Sequence, residues 1–291
     1  MSHEVVIVGS GPSGLAAATS LARSGSEVTV LEREAVPGGV PRHCPHPSFG
    51  LREFKRPLSG GAYAERMVDR AERAGVDIRV STTVIDLGAS DRSVTTTSPD
   101  GVTTVEAEAI LLATGCRERP RAARRISGSR AEGVYTTGEL QQFTYLLDRS
   151  VGKRAVVYGA EHVSFSALMT LRHAGIEPVA IVTSQPSHQS FTMLKSYATR
   201  MGRVPFYSNH TIASIEGADR VSGVWLYFPG WGAWPGSDQQ VVDASSLRDK
   251  HRRQKFIECE TVIATGDRVA EGDGAIRSRV ASSPNVSGIT Y

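Results

Sequence analysis

Three glycines near the start of the chain, Gly9, Gly11 and Gly14, have the G-x-G-x-x-G spacing of a turn that binds a dinucleotide diphosphate. The first glycine of such a turn allows a tight bend, the second lets the backbone approach the pyrophosphate, and the third lets helix and strand pack closely. An acid, Glu32, follows at about the 20-residue distance at which a carboxylate meets an adenosine ribose. These residues predict an adenine-dinucleotide site. An ordinary glycine-rich turn is disfavoured because strand, helix, second strand and acid occur in the expected order.

A second group of reactive side chains lies in the proline-rich segment 41–47, just after a Pro-Gly-Gly turn at 37–39. The segment contains Arg42, His43 and Cys44, and two interpretations remain open. It is either a polar surface loop or a segment that covers the reactive face of a ring cofactor. In the second interpretation Arg42 supplies positive charge beside a reduced ring, and His43 exchanges a proton near neutral pH.

The glycine turn occurs a second time with two substitutions. After a strand ending at Tyr158, Gly159 is retained, but Glu161 and Ser164 replace the second and third glycines. A like-charge pair at about 4 Å costs roughly 1–4 kcal/mol, depending on the effective dielectric constant. We therefore do not expect ordinary binding of a nicotinamide dinucleotide there, and a unit retained only as a scaffold remains the alternative.

The elements that must position these residues follow from hydrophobic periodicity and from glycine stops. Helices are predicted after Gly14 and over 63–74 and 165–174. An Asp-Gly turn at 100–101 makes the region from 81 to 107 an antiparallel meander. Strands are predicted at 5–8, 27–32, 76–80, 81–87, 93–97, 102–107, 109–115, 153–158, 178–182, 211–216, 221–228 and 258–265.

Composition limits the class of protein. The 33 basic and 30 acidic residues give a net charge of only +3, which indicates neither nucleic acid nor a membrane surface. The basic run at 117–125 is interpreted as a solvated connector rather than a binding patch, and the run at 248–255 as solvent-facing. No apolar run approaches the ~18 residues of a membrane span. The first strand begins too early for a signal peptide, and the three cysteines are scattered, so we expect a cytoplasmic chain without disulfides or metal.

Each of the two units leads to an Ala-Thr-Gly, at 113–115 and at 264–266. Together with the first glycine turn, Glu32 and the Pro-Gly-Gly, these motifs resemble the two-dinucleotide-domain flavoproteins of the pyridine nucleotide-disulfide oxidoreductase family. The segments Gly-Val-Pro-Arg-His-Cys at 39–44 and Thr-Gly-Cys-Arg-Glu-Arg-Pro at 114–120, with Thr-Thr-Gly at 136–138, resemble a subgroup. That subgroup comprises α-type subunits of amine and amino-acid dehydrogenases, such as hydrogen cyanide synthase and hydroxyproline dehydrogenase.

The resemblance implies an α/β fold of two Rossmann-like dinucleotide-binding domains, the second inserted into the first, with a small antiparallel meander. The implied division is an FAD-binding domain at 1–125, a connector at 126–150, a degenerate nucleotide-binding domain at 151–260 and a return to the first domain at 261–291. FAD is implied on the first domain, and NAD(P)H, another adenine nucleotide or nothing on the second. The implied cofactor-binding residues are Gly9, Gly11, Pro12, Ser13, Gly14, Glu32, Arg33, Gly38, Gly39, Val84, Ala113, Thr114, Gly115, Gly159 and Asp267.

Three features depart from the family pattern, and the first is the second glycine turn, in which Glu161 and Ser164 replace glycines. The chain has neither C-x-x-C nor C-x4-C, so disulfide reduction through a cysteine pair is not expected, and Cys44 stands alone near the flavin. The chain also stops at Tyr291, about where the family continues into a last strand and a Gly-Asp on the ribityl side of the flavin. We do not expect Asp267 to replace that acid. We expect the missing part to come from a partner, or the chain to be a fragment.

Three functions are compatible with these sequence features. The leading hypothesis is an FAD-dependent oxidoreductase of dehydrogenase or electron-transfer type, with hydride transfer at the flavin and an amine or amino acid as the candidate substrate. The first alternative is an NAD(P)H-dependent flavin reductase. The second is a non-catalytic nucleotide-binding subunit or fragment that docks a partner through the loop containing Trp231 and Trp234. The expected partners are a small-molecule substrate and a partner subunit or second copy, without nucleic acid or a membrane span.

Overall fold

The computed structural model describes residues 4–88, 92–190, 204–228, 254–266 and 268–270. The chain divides into two compact units, and the second, Glu118–Val269, is inserted into the first, which resumes at Ala270. Among the residues with an expected role, Asp267, Trp231 and Trp234 lie outside the described part of the chain, as does the segment that ends at Tyr291.

The first unit is built on a parallel sheet of order β3-β2-β1-β7. Four consecutive β-branched residues form most of β1 and suit a strand that is buried on both faces. The elements of this unit are β1 (Glu4–Val8), α1 (Pro12–Arg23), β2 (Glu27–Leu31), a 3-10 turn (Val40–His43), α2 (Gly60–Glu72), β3 (Asp77–Arg79), β4 (Thr83–Gly88), β5 (Ser93–Ser98), β6 (Gly101–Glu106) and β7 (Ala109–Leu112).

Each face of this sheet has its own covering layer. Because side chains alternate along a strand, Ile7 and Val6 of β1 point to opposite faces. Ile7 belongs to the cluster formed with α1 and α2, which includes Leu15 and Met67. Val6 belongs to the cluster formed with the antiparallel meander β4-β5-β6, which includes Val94. The sheet is therefore held between helices and a meander.

The second unit repeats this layering around a parallel sheet of order β12-β11-β10-β16-β9. A three-stranded antiparallel sheet, β13-β14-β15, covers one of its faces, and β8 pairs with β17. The elements are β8 (Cys116–Glu118), β9 (Val134–Thr136), α3 (Thr137–Tyr145), β10 (Arg154–Tyr158), α4 (His162–His173), β11 (Glu177–Val182), β12 (Phe206–Tyr207), β13 (Thr211–Gly217), β14 (Val221–Tyr227), β15 (Gln254–Glu258), β16 (Thr261–Ala264) and β17 (Arg268–Ala270).

The core of the second unit again has two halves. Val157 and Ile263 of the sheet pack with Leu168 of α4 in one cluster. On the other face, Val156 packs with Leu226 of the antiparallel sheet. The predicted fold class, two Rossmann-like α/β domains with an antiparallel meander, is confirmed. The structure contains a meander-like sheet in both units.

The structure adds detail to the sequence prediction in three places. The strand predicted over 258–265 is shorter, since β16 covers Thr261–Ala264 and Glu258 is the last residue of β15. The region 126–150, predicted as a connector, contains β9 and α3, and α3 begins at a capping box between Thr136 and Glu139. The solvent-facing run 248–255 ends in the first residues of β15.

Candidate functional site

The first glycine turn is closely packed at two of its three glycines. Gly9 has φ +103°, and a Cβ there would lie 2.5 Å from the Ala113 carbonyl oxygen. A Cβ on Gly14 would overlap the carbonyl oxygen of Gly9. These contacts fix the bend after β1 and bring α1 against the strand, so a side chain at either position is excluded.

The N-terminus of α1 is open. Gly11 is the N-cap and makes no side-chain cap hydrogen bond, and the first turn, which lies wholly within the described residues, contains no acid. A Cβ on Gly11 would meet no described atom within 4 Å, whereas one on Gly39 would lie 2.8 Å from the Gly11 Cα. Pro12 occupies the first helical turn, and Ser13 is exposed. We call this concavity the α1 mouth. Its helix dipole and its open space suit a phosphate.

Glu32 lies at the end of β2 and is held by a residue of the turn itself. The backbone N–H and the hydroxyl of Ser10 donate to Oε2 of Glu32 at 2.9 and 2.5 Å. The Glu34 N–H donates to Oε1 at 2.9 Å. The Gly38 N–H in turn donates to the carbonyl oxygen and the hydroxyl of Ser10, each at 3.1 Å. A carboxylate accepts about four hydrogen bonds, so Oε1 retains capacity to accept one from a ribose hydroxyl.

The other expected cofactor-binding residues of the first unit differ in whether they lie near the glycine turn. The Ala113 N–H donates to the Val8 carbonyl oxygen at 2.8 Å, which brings the Ala-Thr-Gly segment 113–115 to the glycine turn. Arg33 is exposed and lies 3.6 Å from the Glu34 carboxylate. Val84 instead belongs to the meander, where it pairs with Thr96. The turn, Glu32, Gly38, Gly39 and Ala113 are thus brought together, and Val84 is placed on β4.

Of the candidate catalytic residues, Arg42 and His43 lie on the 3-10 turn and Cys44 is its C-cap. Nη1 of Arg42 donates to the Val36 carbonyl oxygen at 2.8 Å. Cys44 is buried, and its Sγ lies 3.6 Å from the Val40 carbonyl oxygen. Burial, together with the charge of Arg42, lowers the pKa of His43 to about 4. The His43 ring is therefore neutral at pH 7, which counts against the expectation that it exchanges a proton near neutral pH.

The second glycine turn contains a carboxylate of the chain itself. A Cβ on Gly159, which has φ +137°, would lie 2.7 Å from Oε2 of Glu161. The same oxygen accepts hydrogen bonds from the Ser164 hydroxyl at 3.0 Å and the Thr265 hydroxyl at 3.3 Å. Glu161 is the N-cap of α4, and its N–H donates to the Ser164 hydroxyl at 3.1 Å. We call this region the α4 mouth.

Both the N–H and the carbonyl groups of the turn after β16 are held by side chains. Oε1 of Glu118 accepts from the Gly266 N–H at 3.1 Å, and Oε2 accepts from the Gly138 N–H at 2.9 Å. The Arg124 guanidinium donates to the carbonyl oxygens of Thr265 and Gly266. The prediction that 117–125 is a solvated connector is therefore wrong for Glu118 and Arg124.

Ser10, Glu118 and Arg124 are the positioning residues that the sequence reasoning missed. Ser10 occupies a variable position of the glycine motif, so its spacing carried no signal. Glu118 and Arg124 lie in a basic run, where charge density indicated a solvated surface. Their partners are backbone groups distant in sequence, and only the folded chain shows them.

No three His, Cys, Asp or Glu side chains of the described residues are grouped as metal ligands. None of the helices that the structure describes combines the length and apolar character needed to cross a bilayer.

The fold and the glycine turns define a protein with two dinucleotide-type domains. Residues 3–226 match the family model described as pyridine nucleotide-disulphide oxidoreductase. The chain belongs to this family, whose members are flavin-dependent oxidoreductases that use FAD and NAD(P)H. The family predicted from the sequence motifs is confirmed.

Individual relatives are similar over part of their length. The chain is 28% identical over 262 residues to the Glutamate synthase (NADPH) small chain of Mycobacterium tuberculosis, covering 84% of this chain and 46% of that protein. It is 35% identical over 125 residues to hydrogen cyanide synthase subunit HcnB of Pseudomonas aeruginosa, covering 41% of this chain and 26% of that protein. The chain thus spans less than half the length of these two relatives.

A solved structure shows the same fold. The crystal structure of T. acidophilum thioredoxin reductase matches with a TM-score of 0.68 at 21% identity, covering 93% of this chain and 78% of that one. At this identity the likeness supports the architecture alone.

Proposed function

We propose that the first unit binds FAD with its diphosphate at the α1 mouth and its adenosine ribose on Glu32. The observation that carries this proposal is the open space at Gly11, at a helix N-terminus without an acidic residue in its first turn. Oε1 of Glu32 supplies the ribose acceptor. The Ala113–Gly115 segment, Gly38, Gly39, Arg33 and Val84 complete the proposed binding set.

In this proposal the FAD accepts or donates a hydride when bound, and the chain places the cofactor and controls its surroundings. Arg42, His43 and Cys44 are the candidates for the side of the ring. The geometry favours Arg42 as a fixed positive charge, because a carbonyl oxygen holds its guanidinium. His43 contributes a neutral ring that donates or accepts one hydrogen bond.

We further propose that the chain works as the FAD-bearing part of a multi-subunit dehydrogenase that oxidises an amine or amino acid. Support comes from the similarity to hydrogen cyanide synthase subunit HcnB and from the motifs shared with amine and amino-acid dehydrogenase subunits. The partner would be another subunit, or a second copy of this chain. A cytoplasmic location is proposed because none of the three cysteines, Cys44, Cys116 and Cys259, is joined in a disulfide.

An NAD(P)H-dependent reductase is the second candidate function, favoured by the similarity to the Glutamate synthase (NADPH) small chain. It requires a dinucleotide at the second unit, where Glu161 is placed against the glycines. A non-catalytic nucleotide-binding subunit is the third. The Trp231 and Trp234 loop that would dock its partner lies outside the described residues.

The absorbance spectrum of the purified chain tests the proposal. We expect flavin bands and release of FAD on denaturation, identified by chromatography and mass. Anaerobic addition of amines and amino acids is then expected to bleach the flavin without NAD(P)H. Bleaching by NADPH or NADH alone would favour the reductase, and a colourless protein that binds no added FAD would favour the non-catalytic subunit.

A further inference from the structure

The two mouths can be compared position by position. Gly11 and Glu161 are both helix N-caps, and both have extended backbones, with φ and ψ of −67° and 176° for Gly11 and −85° and 178° for Glu161. Gly14 and Ser164 each occupy the third helical position, and each helix is 12 residues long. The backbones of the two turns are therefore equivalent, and the side chains make the difference.

We propose that the Glu161 carboxylate takes the place of a dinucleotide diphosphate at the α4 mouth, so that the second unit is closed to NADH and NADPH while Glu161 is present. This inference concerns the second unit alone and goes beyond the proposed function, because it holds whether or not FAD binds to the first unit.

The carboxylate fills the concavity that a diphosphate would need. A Cβ on Gly266 would lie 2.7–2.8 Å from the Glu161 carboxylate atoms, and a Cβ on Gly159 would lie 2.7 Å from its Oε2. In the first unit, by contrast, a Cβ on Gly11, or on Gly115 of the corresponding Ala-Thr-Gly, would meet no described atom within 4 Å apart from its neighbours in the chain. The second unit thus places its own anion where the first has room for one.

The carboxylate is also held there. Ser164 and Thr265 donate to it through their hydroxyls, and those two hydroxyl oxygens lie 2.5 Å apart. Thr265 cannot move aside easily, because Arg124 binds its carbonyl oxygen at 2.8 Å. Glu118 holds the next N–H, that of Gly266, at 3.1 Å. Opening the mouth would break several of these bonds together.

Electrostatics act in the same direction. A helix N-terminus carries roughly half a positive charge, and Glu161 as N-cap already compensates it. An incoming diphosphate would therefore meet a fixed negative charge at close range. The ribose side lacks the acid of the first unit, because Thr183 is the first residue after β11, as Glu32 is after β2, and its hydroxyl accepts from the Gln185 N–H at 3.2 Å.

The test measures binding by isothermal titration calorimetry, using the full chain with its flavin and NADH, NADPH and ADP as probes. Glu161→Gly removes the carboxylate at a backbone conformation that any residue adopts, and Glu161→Gln keeps the shape without the charge. Glu177→Gln is the matched control, because it removes an exposed carboxylate of the same unit at the amino end of β11.

We expect no measurable binding of the three probes by the original protein, and equally none by the control Glu177→Gln. Glu161→Gly should bind ADP or NADPH at least tenfold more tightly, with a smaller gain for Glu161→Gln. Micromolar binding of NADH or NADPH by the original protein would overturn the inference. The inference would also be overturned if Glu161→Gln, shown to be folded by circular dichroism, bound none of the probes more tightly than the original protein does. This outcome is decisive even where Glu161→Gly fails to fold.

Discussion

Replacing Ser10 by alanine tests the hydrogen-bond network that places Glu32. Ser10 is completely buried, and its hydroxyl is the only side-chain group that it contributes. The substitution removes the 2.5 Å bond to Oε2 of Glu32 and the acceptor at 3.1 Å from the Gly38 N–H. The backbone N–H of Ser10 still donates to Glu32, and its carbonyl oxygen still accepts from Gly38.

The expected loss is that of one hydrogen bond to a charged group. Such a bond contributes about 1.5–3 kcal/mol, and the second bond is partly replaced by the remaining carbonyl contact. We therefore expect Ser10→Ala to lower the free energy of unfolding by about 2 kcal/mol. At 2–4 °C for each kcal/mol in a domain of this size, the melting temperature should fall by roughly 4–8 °C.

Urea denaturation of the flavin-free protein, followed by circular dichroism, measures this loss. Ser24→Ala is the control, because Ser24 is the exposed C-cap of α1 and its hydroxyl donates to the Ser20 carbonyl oxygen at 3.0 Å. The control should change stability by less than about 0.5 kcal/mol. If Ser10→Ala were as stable as Ser24→Ala, the Ser10 hydroxyl would not be what holds Glu32 in place.

Three further predictions follow from the same contacts. Gly11→Val should abolish FAD binding while leaving the fold intact, because the φ of −67° at Gly11 tolerates a side chain and the new methyl groups enter the α1 mouth. The control Ala16→Val, at an exposed position of the same helix, should still bind FAD in a spectral titration. The free energy of unfolding should fall as the pH is lowered from about 6.5 towards 4, because the pKa of His43 is lowered in the folded protein and the unfolded chain therefore binds the proton first. In urea titrations at several pH values His43→Gln should reduce this pH dependence, and an unchanged pH dependence would contradict the burial of the ring. Iodoacetamide should alkylate exposed Cys116 in the native protein, whereas buried Cys44 and Cys259 should react only after unfolding. Burial also raises the pKa of Cys259 to about 11, which keeps its thiol protonated. Peptide mass mapping that found Cys259 labelled in the native state would contradict its burial.

The parts of the fold that were predictable are those set by local sequence pattern. The β-branched run of β1 and the Asp-Gly turn at 100–101 each determine their structure within a few residues. The helix α3 was missed because it is short and its apolar spacing is weak, although its capping box at Thr136 and Glu139 was readable. The strand β15 was missed because it begins inside the basic run 248–255, where charge density indicated a solvent-facing segment.

The candidate site was predictable only where backbone conformation dictates residue type. Gly9 and Gly14 must be glycine, because backbone oxygens occupy the places of their side chains. Ser10 and Arg124 are different, since serine and arginine suit exposed surfaces equally well. Their roles depend on partners 22 and 141 residues distant in the chain. Such long-range pairing leaves no periodic signal in a single sequence.

The two units show how a shared frame can support different ligands. Both have a parallel sheet with helices on one face and an antiparallel sheet on the other, and both have a glycine turn before a 12-residue helix. The fold depends on the apolar layers, which a change at an N-cap leaves untouched. Ligand choice depends on whether that N-cap presents open space, as at Gly11, or a carboxylate, as at Glu161. Family membership therefore extends to both units, whereas the capacity to accept a diphosphate is decided separately at each mouth.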